Sequence, residues 1–367
     1  MITLENSVRM RKSMLGQRRL KKIKVLATFG LLTLILLYVL WTVWIERLVP
    51  AAWLNTDTGH LYQVVTDFQD FDVDNPLTEY GDLSDQMKPN LSLYEELILE
   101  RQAVFQQYHD LVKRFQPSND LQDSTFQLIQ QFQPILEPVE AARLVFTLDT
   151  FVRACSQRNL VYFMTEASLM GALRHHGLIP WDDDIDIAMS SRQWREIRDA
   201  LGNIEGFQLY APRASQWKFF MSSASSFPDK PFKFPYLDIF FYAEDETHAW
   251  AITKGLKHDL IYKKTDVFPL RFRPFEHLLV PVPCNLDLLV RSSHDIDLCV
   301  TPEYIHKTNR NVRLPEQTSV SCSLLHGVYP FVWVSKSARA GYVDEYLMLG
   351  DAVLHKVSVV DGCSVCT

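Results

Sequence analysis

The stretch from Ser168 to Ile187, SLMGALRHHGLIPWDDDIDI, limits most severely what this chain can become. Four carboxylates, Asp182, Asp183, Asp184 and Asp186, fall within five positions, and apolar residues bracket the last two. Residues i and i+2 of a strand point to the same face. A strand over Asp184–Ala188 therefore projects Asp184 and Asp186 together, with Ile185 and Ile187 turned to the opposite core. Two carboxylates held this close repel unless a cation sits between them. A hard, oxygen-seeking ion such as Mg²⁺ or Mn²⁺ suits such a pair, and an ion so placed suits phosphoryl chemistry. An acidic run is more often a solvated loop, but such a loop is not normally flanked by Ile179, Trp181, Ile185 and Ile187. Gly171 and Gly177 mark turns or close backbone approaches ahead of the acids.

The block from Tyr162 to Ile187, YFMTEASLMGALRHHGLIPWDDDIDI, resembles the signature of the LicD family, which includes fukutin and fukutin-related protein. Two later blocks are similar to the family pattern, Pro235–Phe240 (PYLDIF) and Pro274–Pro283 (PFEHLLVPVP), and the resemblance runs from about Leu144 to about Asn309. It implies an α+β fold, a nucleotidyltransferase-like mixed sheet flanked by helices. It also implies transfer of a phosphorylated alcohol from a CDP-linked donor to a glycan. Asp238 stands where the family pattern has its third carboxylate. Its apolar setting agrees, since a lone buried Asp is costly unless paired or metal-bound. The expected metal ligands and catalytic residues are thus Asp184, Asp186 and Asp238, with Asp238 nominated to take the acceptor's proton. Ser168, Gly171 and Arg174 are expected to meet the donor, arginine being suited to bidentate phosphate contact, with a structural balance of Arg174 against Asp182 or Asp183 as the alternative. Arg271 and Arg273 are weaker candidates, and His175 and His176 read as structural. The family usually has Gly-Gly-Thr or Gly-Ser where this chain has Glu166-Ala167-Ser168. Ala167 takes positive φ less freely than glycine, which bears on the fit of the donor phosphates.

The remaining chain supplies the setting. Eight basic residues between Arg9 and Lys24 face one acid, Glu5, and no charge interrupts Val25–Ile45. Roughly 20 apolar residues span a bilayer, and Trp41 and Trp44 stand where interfacial aromatics do. A cleaved signal has a shorter apolar run ending in small residues, so an uncleaved anchor fits better. The basic flank then stays cytoplasmic and the bulk is luminal, in the Golgi or endoplasmic reticulum. This divides the chain into a basic tail (1–24), an anchor (25–45), a luminal stem with one helix (46–136) and the LicD-like domain (137–367). The periodicity places helices over Leu93–Phe115 and from Pro138 onward. Net charge is −7, which gives no sign of a nucleic-acid binder.

The six cysteines all follow the expected anchor, where disulfides are permitted. Cys363-Ser-Val-Cys366 could form half of a zinc site with Cys299, Cys322, His306 or His326. No second paired spacing supports this, and disulfides or free thiols are the better expectation. Two other function classes compete with the transferase: a catalytically inactive LicD-like scaffold or glycan-binding protein, and a Golgi glycosyltransferase of Asp-X-Asp type. Asn90-Leu91-Ser92 is a glycosylation acceptor if it is luminal. In microsomes, protease should therefore spare the C-terminal bulk, and Asn90 should carry an endoglycosidase-sensitive glycan. A protease-accessible C-terminus would overturn this topology.

Overall fold

A computed structural model describes residues 87–114, 120–213, 215–252 and 261–363. All belong to one compact unit, Gln63–Thr367. The expected anchor, Val25–Ile45, lies outside the described residues. Among those described, no helix is long and apolar enough to cross a membrane.

Helix α1 (Leu91–Arg114) starts where the Asn90 side chain accepts the Leu93 N–H at 3.2 Å. After α2 (Asp120–Gln130), the chain enters the central helix α3 (Pro138–Arg158). Proline is placed at the first turn, where its missing N–H costs nothing. Glu137 and Glu140 cap that end reciprocally, and Asn159, left-handed at φ 53°, closes the other. Leu144, Val145, Phe146, Leu148 and Phe151 of α3 are fully buried. Against them α1 lays Tyr94, whose ring is 5.3 Å from that of Phe146. The helix expected in the stem is therefore packed on the domain.

The main sheet is mixed. Its strands are β1 (Tyr162–Met164), β2 (Ile185–Ser190), β3 (Phe207–Tyr210), β4 (Trp217–Met221), β5 (Leu237–Glu244), β6 (His248–Ala251) and β7 (Ile261–Lys263). The order is β1-β2-β5-β4-β3, with β6 on the far end of β5 and β7 beside it. Strands β2 and β5 run parallel, whereas β5 pairs antiparallel with β4 and β6. Helix α4 (Glu166–Arg174) links β1 to the acidic turn, and α5 (Trp194–Leu201) follows β2. This is the α+β, mixed-sheet arrangement expected from the sequence. Every residue of β2 is buried, as expected of a strand covered on both faces.

The C-terminal part closes the domain. A three-stranded antiparallel sheet, β8 (Phe331–Lys336), β9 (Tyr342–Leu349) and β10 (Ala352–Val360), contributes the buried Glu345. Its carboxylate binds His176 at 2.9 Å and Arg273 at 2.7 Å. Disulfides join Cys284 to Cys363 and Cys299 to Cys322. Cys299 and Cys322 are thereby removed as zinc ligands, and Cys366 lies outside the described residues. Cys155 is a free, buried thiol on α3 whose pKa burial pushes up.

Gly171 was expected at the donor, and its surroundings give it a packing role. A Cβ built there would stand 2.4 Å from the Gly177 carbonyl oxygen, a backbone atom that cannot swing aside. The glycine lets α4 lie against the turn that carries His175 and His176. Gly171→Ala should lower stability by about 1–3 kcal/mol, the usual range for overpacking, read as a drop in melting temperature. An unchanged melting temperature with weaker donor binding would restore the ligand role.

Candidate active site

The register of two strands assembles the site. Asp186 on β2 is the direct parallel partner of Asp238 on β5, and Lys218 on β4 is the antiparallel partner of Asp238. Directly paired residues share a face, so Asp186, Asp238 and Lys218 form a row across the sheet. Asp184, one residue ahead of β2, joins them from the same side. One oxygen from each of Asp184, Asp186 and Asp238 lies within 4.8 Å of the others, and all three residues are buried. The residues expected to act together are thus brought together.

Two cations answer this charge. Lys218 Nζ donates to Asp238 Oδ1 at 2.5 Å and lies 3.8 Å from the Tyr236 ring centroid. His306 stands between Asp183 and Asp184, with Nδ1 2.9 Å from Asp183 Oδ1 and Nε2 3.1 Å from Asp184 Oδ2. A carboxylate only accepts, so Nδ1 carries the proton toward Asp183. Asp183 also accepts the backbone N–H of His306 at 3.2 Å and of Lys307 at 2.8 Å. It is fully buried, and it pins this loop onto the acidic turn. Lys307 Nζ ties the same loop to Glu140 of α3 at 2.8 Å.

Neither cation was expected at the site from the sequence. For Lys218 a signal existed: a lysine between Trp217 and Phe219 on a strand needs a partner for its charge. For His306 no local pattern exists, because its partner Asp183 is 123 positions away in sequence.

The other expected donor contacts divide. Ser168 is buried, and its Oγ accepts the Asp186 N–H at 2.8 Å, so it positions a carboxylate. Arg174 does line the cavity. Its guanidinium also reaches the carbonyls of Ile296 and Leu298 at 3.4 Å, and burial lowers its pKa to about 10 despite Asp182 and Asp297. Arg271 and Arg273 are committed elsewhere, to the carbonyls of Cys284 and Val360 and to Glu345 respectively. His175 meets the Pro330 carbonyl at 2.7 Å, a structural role like that of His176. The backbone departure falls one residue earlier than expected. Glu166, not Ala167, takes positive φ, at 49°.

These groups face a cavity of about 700 Å³. Its wall includes Glu166 and Ala167 from the first turn of α4, the three aspartates, Gln216, and a rim from His294 to His306. First-turn amides have no partners within their own helix, and such a turn favours anions. Burial, then Asp184, Asp238 and Glu166, pushes the Asp186 carboxyl well above the usual range. Asp184 is pushed up by burial and by Asp182 and Asp238, against the opposing pull of His306. Burial works against the charge on His306, but Asp184, the Asp183 hydrogen bond and Asp238 outweigh it and raise its pKa to about 9.

Buried carboxylates on neighbouring parallel strands, facing a cavity at the start of a helix, are the equipment of a nucleotidyltransferase-type site. Residues 159–285 match the family model described as LicD/FKTN/FKRP, nucleotidyltransferase domain. The chain is also similar to lipopolysaccharide cholinephosphotransferase LicD of Haemophilus influenzae, at 40% identity over 52 residues. That alignment covers 14% of this chain and 20% of the relative.

All three raised pKa values predict the same pH dependence. A group whose folded pKa lies above its unfolded value stabilises the fold at low pH, and that stability is lost as pH rises through the folded value. For His306 the loss runs from about its ordinary 6.5 to about 9. The metal-free chain should therefore melt at progressively lower temperature from neutral pH to pH 9. Mg²⁺ should reduce the decline, because a bound ion favours deprotonated ligands. Melting curves with chelator and with Mg²⁺ at several pH values test this, and a flat metal-free profile would contradict it.

Proposed function

We propose that this protein transfers a phosphorylated alcohol, of the ribitol phosphate, glycerol phosphate or phosphocholine class, from a CDP-linked donor to a glycan hydroxyl. The observation that carries the reading is the convergence of Asp184, Asp186 and Asp238 on one wall of a cavity of about 700 Å³. That volume falls within the ~300–1,000 Å³ usual for small-molecule sites. The family match supports phosphotransfer as the reaction type. The cholinephosphotransferase named among its relatives supports a phosphorylated alcohol as the transferred group. The expected anchor would place the reaction on the luminal side of the secretory pathway.

The donor set fits a Mg²⁺ or Mn²⁺ ion. All three groups are hard oxygen ligands within 4.8 Å of one another, and Asp184 and Asp186 are raised by burial and by neighbouring charge, which a divalent cation would relieve. Asp184, Asp186 and Asp238 would hold the ion. When bound, such an ion neutralises phosphate oxygens and the charge developing on the departing CMP.

The chain's own groups do the rest. The first turn of α4 presents backbone amides to the donor phosphates. Arg174 adds a positive wall. Ser168 holds the Asp186 backbone in place through a 2.8 Å hydrogen bond. Lys218 already donates to Asp238 Oδ1, so one of the two Asp238 oxygens is engaged and the other is left for an ion or for the acceptor's proton.

The reading is tested with the purified full chain offered CDP-ribitol, CDP-glycerol, CDP-choline and UDP-sugars, following nucleotide release and product mass. CMP release with one CDP donor is expected. Nucleotide release only from a UDP-sugar would favour the glycosyltransferase, and none from any donor would favour the non-catalytic relative. Asp184→Asn, Asp186→Asn and Asp238→Asn should each lower CMP release by roughly 10²-fold or more. The Asp184 and Asp186 variants should melt no lower than the parent without metal, since each removes a repelling charge. All three should lose most of the Mn²⁺-induced rise in melting temperature, which reflects binding to the folded state. Unchanged activity in any folded Asn variant would remove that residue from the site.

A further inference from the structure

We infer that His306 supplies a nitrogen ligand, through Nε2, to a divalent cation seated on Asp184. This rests on the metal-dependent reading above and adds a ligand from outside the family-matched segment, which ends at residue 285.

The ring is held as a metal-ligating imidazole is held. Such rings normally donate their other N–H to a carboxylate, which fixes tautomer and orientation. Here Asp183 plays that part. It is fully buried, binds Nδ1 at 2.9 Å, and takes two backbone N–H groups of the same loop. The ring is therefore fixed from behind. Tyr304 and Tyr236 flank it edge-on, at centroid distances of 4.8 and 5.9 Å.

What remains is Nε2, on the cavity wall beside Asp184. Its distance to Asp184 Oδ2 is 3.1 Å. Adjacent ligands on an octahedral ion with bonds of about 2.1 Å stand roughly 3 Å apart. The two atoms thus already have the separation of neighbouring ligands on one ion. Asp183, Asp184 and His306 also offer ligand atoms that all lie within 4.8 Å of one another.

A nitrogen ligand changes which ion the site prefers. Carboxylates alone suit Mg²⁺, Ca²⁺ and Mn²⁺, whereas imidazole favours transition metals. The site should therefore take Mn²⁺ in preference to Mg²⁺, and the preference should depend on His306.

The test is pulsed electron paramagnetic resonance on the purified full chain loaded with Mn²⁺, which detects directly coordinated ¹⁴N. The expected result is ¹⁴N modulation in the parent protein, lost in His306→Gln, with Mn²⁺ affinity lower by about tenfold or more. Mg²⁺ affinity should change less. Bound Mn²⁺ without ¹⁴N modulation would overturn the inference and leave the carboxylate site standing. Modulation that survives in His306→Gln would assign the nitrogen elsewhere and also overturn it. No Mn²⁺ binding at all would overturn both this inference and the metal-dependent reading. If His306→Gln fails to fold, the same reading is taken from His306→Asn: loss of the modulation supports the inference and its persistence overturns it.

Discussion

The repulsion between Asp186 and Asp238 is the constraint on which the rest of the site depends. Parallel pairing of β2 with β5 sets these buried carboxylates opposite one another. At 4 Å and the effective dielectric of a protein site, two like charges cost about 4 kcal/mol. That is a sizeable share of the ~5–15 kcal/mol by which a typical domain is stable. A fold that keeps this register has to bring positive charge to the same face.

The counter-charges arrive from opposite directions. Lys218 comes from within the sheet, on the strand beyond Asp238, with the rings of Tyr236 and Phe232 against its ammonium. His306 comes from outside the sheet, on a loop anchored by Asp183, by Lys307 with Glu140, and by the nearby Cys299–Cys322 disulfide. The C-terminal third therefore does more than cover the domain. It completes the electrostatics of a site whose acids lie in the family-matched segment. Its covalent staple lies close to this polar loop, and its buried Glu345 ties β9 to His176 and Arg273.

What could be read from the sequence follows the range of each interaction. Asp184 and Asp186 were legible because strand alternation is local. Asp238 was legible because an acid within Tyr236-Leu-Asp-Ile-Phe contradicts its surroundings, and the family pattern placed it. Lys218 carried the same kind of contradiction, a charge between Trp217 and Phe219. His306 had no local signature, since the fold alone brings residue 306 to residue 183. Gly171 and Ser168 were nominated for the donor from their place in the motif. Each touches backbone, Gly177 in one case and Asp186 in the other, and a spacing rule cannot tell close approach to backbone from close approach to a ligand. The cysteine pairing was likewise beyond sequence, because several pairings share the same spacings.

Glu166 links backbone geometry to charge in this site. The resemblance to the LicD family sets a glycine near this position, and glycine reaches positive φ without strain. Here a glutamate holds φ 49°, a conformation costing of order 1–3 kcal/mol in a residue with a side chain. The backbone path survives because neighbours hold it: the Thr165 N–H donates to the Asp186 carbonyl at 3.2 Å, and Ser168 takes the Asp186 N–H. Loss of the glycine therefore does not imply loss of the turn. What changes is charge. Glu166 adds a carboxylate to the cavity wall and helps to raise the Asp186 carboxyl. An anionic donor entering this site meets more negative charge than the family pattern would present, which increases the demand on bound cations. A site under that demand gains from a nitrogen ligand that adds affinity without adding negative charge, and His306 is placed where such a ligand would act.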